Sequence, residues 1–237
     1  MKVATVIMHY EYEDLTNQVL AQLSGLSDLF VFDDGSSHLF EPASKATVIA
    51  IPENRGYVKA VNEALRVLGN LHTVCASDPY DAVWTLNNDV EGLTGELLEA
   101  LSQALEKNKH LAAVSPAIAG NGHHEMRPGN EFRGRIDPKA RRESFIDWVC
   151  PLVRMSAWLD VGGFDESLPG YGVDVDFCKR ARDREWRFAV LPQFTIQHEG
   201  RGTVKHLPDK ADHANIGLMN KLLCAKWGVR RWEQLKK

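Results

Sequence analysis

Apolar residues in this chain fall into short continuous runs, separated by stretches in which they recur every three or four positions. Val3 to Met8, Leu29 to Phe32, Val48 to Ile51 and Val83 to Leu86 are dominated by apolar and β-branched residues, the pattern of buried strands. Between them, Leu15, Val19, Leu20 and Leu23 recur at helical spacing. So do Val58, Val61, Ala64, Leu65 and Leu68, and then Leu97, Leu98, Leu101 and Leu105. Strands alternating with helices of this length predict an α/β fold with a mostly parallel central sheet covered on both faces.

Each of the four strand runs ends in a polar or glycine-containing turn. The turns are His9-Tyr10-Glu11, Asp33-Asp34-Gly35-Ser36-Ser37, Pro52-Glu53-Asn54-Arg55-Gly56-Tyr57 and Asn87-Asn88-Asp89. In an open α/β sheet, ligands bind in the crevice outside the carboxyl ends of the strands. A carboxylate flanked by two amides suits a hard divalent cation that is otherwise held by water and phosphate oxygens. The same residues also suit a βα turn in which Asn and Asp cap the next helix.

Composition narrows the classes. The chain has 237 residues, no Pro/Ser/Gly-rich linker, no repeat and no low-complexity tract, which predicts one domain over 1–237. A net charge of −4 argues against a nucleic-acid partner. No apolar run approaches the roughly 20 residues a bilayer span requires. The four cysteines form no Cys-x-x-Cys pair, so neither zinc nor disulfides are implied and a cytoplasmic protein is expected. Gly-x-Gly-x-x-Gly and Gly-x-x-x-x-Gly-Lys-Ser/Thr are both missing, which counts against dehydrogenases and P-loop enzymes. Residues 121–142 read as a long basic loop, a lid or a solvated segment. From Ile216 to Lys237, apolar residues and basic ones alternate in a helical segment that either docks on the domain or makes peripheral membrane contact.

Six landmarks in order resemble the family 2 glycosyltransferases of the GT-A fold, in particular their rhamnosyl- and galactosyltransferase-like members. They are Val31-Phe32-Asp33-Asp34-Gly35-Ser36, Glu53-Asn54-Arg55-Gly56-Tyr57 through Asn62, Leu86-Asn87-Asn88-Asp89, Val161-Gly162-Gly163-Phe164-Asp165-Glu166, Tyr171-Gly172-Val173-Asp174-Val175-Asp176-Phe177 through Arg182, and His198-Glu199-Gly200. The resemblance spans about residues 3 to 205. It implies a nucleotide-sugar-binding half near 1–110, an acceptor and catalytic half near 111–205, and a C-terminal helical segment at 206–237.

Roles follow from the resemblance residue by residue. His9, Tyr10, Asp33 and Asp34 would hold the base and ribose, with Asp34 on the base and Asp33 ordering its loop. Asn54, Gly56, Lys59, Asn87 and Asn88 would complete the nucleotide-sugar pocket. Asn87-Asn88-Asp89 stands where the family has Asp-x-Asp, so Asp89 would bind Mn²⁺ or Mg²⁺, with His198 as second ligand. Asp174 would be the general base of an inverting transfer, with an N-cap role as the alternative. Trp148, Gly163 and Asp176 are expected on the acceptor side, Trp148 stacking on a sugar or packing in the core, Asp176 in reserve or paired with Arg180. The activity implied is transfer of a sugar from a UDP- or dTDP-linked donor to a hydroxyl of a glycan or glycoconjugate. A non-catalytic binding module of the same fold and a nucleotidyltransferase are the competing classes. The latter calls for a Gly-rich phosphate loop near the N-terminus, where Val3 to Leu15 has none.

Overall fold

A computed structural model describes residues 1–26, 28–75, 78–119, 132–137, 140–143, 145–168, 170–198, 200 and 216–236. The expected strands form β1 (Val3–His9), β2 (Leu29–Asp33), β3 (Thr47–Ala50) and β4 (Ala82–Leu86), followed by a short β5 (Val90–Glu91). The remaining strands are β6 (Leu111–Ala119), β7 (Phe132–Asp137), β8 (Ala140–Glu143), β9 (Leu152–Arg154) and β10 (Arg187–His198). One sheet contains them all, in the order β3-β2-β1-β4-β9-β6-β10-β8-β7, with β5 pairing to β10. β1 pairs in parallel with β2 and β4, and β6 with β10, while β9 runs antiparallel between β4 and β6. The carboxyl ends of β1, β2, β3, β4, β6 and β10 therefore share one rim.

Period-two alternation divides the strand side chains between two cores. Ala4, Val6 and Met8 of β1, Phe30 and Phe32 of β2, and Val83 of β4 face one cluster. Ile7, Leu29, Val31, Ala82, Trp84 and Leu86 face the other. The first is covered by α2 (Tyr57–Cys75), α4 (Met155–Val161) and α5 (Val173–Asp183), the second by α1 (Glu13–Gln22) and α3 (Gly95–Lys107). A sheet buried on both faces accounts for strand runs that read as continuously apolar.

One expectation is revised, and one of two alternatives is selected. Part of the basic stretch at 121–142 forms the antiparallel strands β7 and β8, paired with a register irregularity, and β8 joins β10; residues 120–131 and 138–139 lie outside the described residues. The C-terminal segment docks on the domain: α6 (Ile216–Trp227) and a 3₁₀ turn (Trp232–Lys236) bury Leu223 and Leu235. No helix among the described residues is long and apolar enough to cross a membrane.

Candidate active site

The site is built from strand ends. At β2, Asp33 and Asp34 are both buried and divide their work as their alternating directions require. Asp33 Oδ1 accepts from Ser36 N–H at 2.9 Å and Oδ2 from Phe40 N–H at 3.4 Å, so it orders its own loop as expected. Asp34 reaches across to the next turn, accepting from Arg55 and Gly56 N–H at 3.0 Å each. Burial raises its carboxyl above the ordinary range, against the lowering by those two hydrogen bonds. Gly35 lies between these turns with a positive φ. A Cβ there would come within 2.3 Å of the Asn54 nitrogen, so only glycine fits.

His9, at the end of β1, pairs with Asp33 across the strands. Its Nδ1 lies 2.7 Å from Thr16 Oγ1, and its Nε2 has no hydrogen-bond partner among the described residues. Burial lowers its pKa, more than the carboxylates of Asp33 and Glu11 raise it, and keeps the ring neutral at neutral pH. Asn88 Nδ2 donates to the same Thr16 hydroxyl at 3.4 Å, tying the ends of β1 and β4 to α1. Glu11 adopts φ 61° and spans to the Asp33 loop. Its carboxylate accepts from Ser37 N–H and Ser37 Oγ, at 2.8 and 2.9 Å. Tyr10 is half-buried beside it, whereas Asn54 and Lys59 are exposed on the opposite wall.

The candidate metal residues come together. Antiparallel pairing sets Val90 of β5 opposite His198 of β10, which brings the preceding Asp89 alongside. His198 Nε2 lies 2.9 Å from Asp89 Oδ1, both side chains only 6% exposed. Among the described residues no three His, Cys, Asp or Glu groups converge as a metal cluster. A carboxylate oxygen and an imidazole nitrogen side by side still fit a divalent ion that draws its other ligands from water and phosphate.

Tyr57 lies next to this pair, through Asn87. Its ring is 38% exposed, yet its hydroxyl is enclosed, 3.0 Å from Asn87 Oδ1 and 2.8 Å from the Trp148 carbonyl oxygen. Burial holds the hydroxyl protonated far above the usual tyrosine range, and the negative charges of Asp174 and Asp89 push the same way. Both carboxylates thus lie within electrostatic reach of one hydroxyl. The sequence contained this residue, directly after Gly56 at the first position of α2, but no motif assigned it a role.

Asp174 is not the N-cap of α5. That position belongs to Gly172, at φ 89°, and Asp174 sits in the first turn with Oδ1 accepting from Val175 N–H at 2.8 Å. A helix N-terminus still favours its ionised form. The acceptor-side expectations fare differently. Trp148 is 5% exposed and packed against Trp158, Phe164 and Phe177, so it belongs to the core rather than to a sugar platform. Gly163 packs against Asn62 and Trp158, with its carbonyl accepting from Arg180. Asp176 is fully buried and holds Arg180 Nε at 2.8 Å, Lys226 Nζ at 2.6 Å and Trp227 Nε1 at 2.9 Å. It anchors α6 to α5 and is closed to solvent. The lysine also meets Asp165, at 2.5 Å, a contact between residues 61 positions apart that no local pattern signals.

This fold is the GT-A fold. GalNAc-T7, in a crystal structure with UDP, GalNAc and Mn²⁺, superposes at a TM-score of 0.70 with 11% identity, over 99% of this chain and 50% of that one. The mannosyltransferase PcManGT from Pyrobaculum calidifontis, with GDP-Man and Mn²⁺, superposes at 0.61 with 13% identity, over 86% and 59%. In sequence, an N-acetylglucosaminyl-diphospho-decaprenol L-rhamnosyltransferase of Mycobacterium tuberculosis is 28% identical in a 187-residue alignment that covers 65% of this chain and 60% of that relative. The chain thus matches about three-fifths of the relative's length. No family model matches. The resemblance to family 2 glycosyltransferases of the GT-A fold, rhamnosyltransferase-like members included, is borne out.

Proposed function

We propose that this protein is a metal-dependent inverting glycosyltransferase. It transfers a sugar from a UDP- or dTDP-linked donor to a hydroxyl of a glycan or glycoconjugate. The observation that carries the reading is the buried Asp89–His198 pair, 2.9 Å apart at the strand-end rim, with the charges of Asp89 and Asp174 both acting on the Tyr57 hydroxyl. The fold, and the nucleotide sugars and Mn²⁺ held by other proteins that share it, support the same reading.

The residues divide the work. The Asp33–Asp34 loop, tied to Glu11 and to the Asn54–Gly56 turn, forms the base and ribose pocket, with His9 and Tyr10 at its floor. Gly56 lets the backbone approach the donor, and the free N–H groups opening α2 suit its phosphates. Asp89 and His198 would hold Mn²⁺ or Mg²⁺, which when bound supplies Lewis-acid stabilisation of the departing diphosphate. Asp174, ionised at its helix N-terminus, takes the proton of the acceptor hydroxyl as that oxygen attacks the anomeric carbon. Gly163 and the turn it belongs to shape the acceptor side through Asn62 and Arg180.

The test is a transfer and hydrolysis assay over a panel of UDP- and dTDP-sugars, with Mn²⁺, Mg²⁺ or chelator. Nucleotide release that needs the ion and disappears in Asp174→Asn is the expected result. Nucleotide-sugar binding without any turnover, on every donor and acceptor tried, would turn the reading toward a binding module.

A further inference from the structure

Tyr57 carries its two kinds of surface the wrong way round. A tyrosine ordinarily covers its apolar ring and leaves its polar tip in water. Here the hydroxyl is enclosed, 3.0 Å from Asn87 Oδ1 and 2.8 Å from the Trp148 carbonyl oxygen, while 38% of the residue stays open. The open part is therefore ring. At the other end of the residue, the turn leading into α2 is fixed to β2, because Arg55 and Gly56 N–H both donate to the Asp34 carboxylate. The ring thus runs from the Asp34 turn to the end of β4 and is held at both ends. A bare aromatic face fixed in this way is suited to a ligand that covers it.

The position of the ring says which part of a ligand that is. In the function proposed above, the diphosphate departs on the side of Asp89 and His198, and Asp174 takes the proton of the acceptor. The sugar being transferred lies between those groups. Asp89 and Asp174 both act electrostatically on the Tyr57 hydroxyl, so the ring stands beside the same path. A sugar ring presents patches of C–H between its hydroxyls, slightly positive at hydrogen, and the face of an aromatic ring is negative. We propose that the exposed face of Tyr57 is the platform on which the transferred sugar of the donor stacks, with the buried hydroxyl contacts holding that platform at a fixed tilt. The inference rests on the glycosyltransferase reading and deepens it, naming a contact to the sugar rather than to the nucleotide. A ring anchored in advance loses little freedom when its ligand arrives. Trp148, expected to stack on a sugar, contributes its backbone instead: its ring lies in the core and its carbonyl anchors Tyr57.

The experiment is calorimetry on the whole chain with Mn²⁺, comparing UDP-glucose, UDP-galactose, UDP-N-acetylglucosamine and dTDP-rhamnose with UDP and dTDP. Tyr57→Leu is expected to weaken the sugar nucleotide that the parent binds roughly three- to ten-fold, the scale of an aromatic contact, while UDP and dTDP stay at the parent value. Tyr57→Phe keeps the ring and drops the hydroxyl contacts, so it is expected to lose less than Tyr57→Leu. A tyrosine with a structural role alone behaves differently: both variants then weaken nucleotide and sugar nucleotide alike, and that result overturns the proposal. So does a folded Tyr57→Leu that binds the sugar nucleotide as tightly as the parent, which leaves the glycosyltransferase reading standing. A parent protein that binds none of the four sugar nucleotides overturns both. Should Tyr57→Leu fail to fold, nuclear Overhauser effects decide. With the tyrosine rings isotope-labelled, cross-peaks to the sugar C–H protons are expected in the parent and not in Tyr57→Phe, and their absence from the parent rejects the platform.

Discussion

At the scale of single residues, the decisive substitutions keep shape and remove one chemical property. Asp174→Asn preserves size and position in the first turn of α5 while removing the proton acceptor. Because Gly172 caps the helix, stability should hardly change, whereas transfer should fall by about 10²–10⁴-fold with donor affinity nearly unaltered. Steady-state kinetics beside thermal melts would check both halves. Asp176→Asn makes the contrasting case. Its carboxylate is buried among Arg180, Lys226 and Trp227, so it should lose stability first and activity only as a result. The sequence separated these two acids, since a spacing of two on a helix turns them to different sides, and Asp176 is indeed buried against Arg180. It could not distinguish Trp148 as core from Trp148 as sugar platform, because a tryptophan after a polar stretch has the same local pattern in both cases. Nor could it reveal Tyr57, whose importance lies in contacts to Asn87 and Trp148, 30 and 91 positions away.

At the scale of elements, strands and helices were legible because each carries its own periodicity. The β5–β10 pairing and the docking of α6 were not, because they depend on contacts between distant segments. The α6 anchor can be tested directly. Lys226→Met removes charge-assisted contacts to Asp165 and Asp176, each worth on the order of 1.5–3 kcal/mol, while Arg180 keeps one partner on Asp176. Denaturant unfolding should show a loss of about 3–6 kcal/mol for the two together, reduced by solvent screening at the partly exposed Asp165 contact. The anchor also has a pH signature. The Lys226 hydrogen bond is the chief reason that the Asp165 carboxyl is held down to about 2, from an ordinary 3.8. A folded value below the unfolded one means that this stabilisation is complete above 3.8 and is lost as pH falls toward 2. Lys226→Met should flatten that part of the stability profile. A second element-scale test is Gly35→Ala, where the added carbon would strike the backbone between Glu53 and Asn54. Loss of nucleotide binding, or of folding, is the expected result by calorimetry and circular dichroism.

At the scale of the whole molecule, the proposed nucleotide pocket on one side of the rim and the proposed metal pair on the other predict that ligands stabilise jointly. UDP with Mn²⁺ at 100 times the dissociation constant should add about 2.7 kcal/mol, read as a rise in melting temperature larger than that from either ligand alone. In Asp89→Ala the Mn²⁺ increment should vanish and the nucleotide increment remain. The joining of Asn87 and Asp89 to His198 has one more consequence, in time rather than space. Asn87 and His198 are 111 residues apart, so a chain emerging from the ribosome carries the early half of the site long before the late half exists. Until β10 lies beside β5 there is a nucleotide pocket in outline but nothing to grip an ion. On the proposed metal reading, Mn²⁺ binding would be a clock for the completion of folding. In refolding experiments its signal should rise no earlier than the last phase of tertiary structure, however soon the helices have formed.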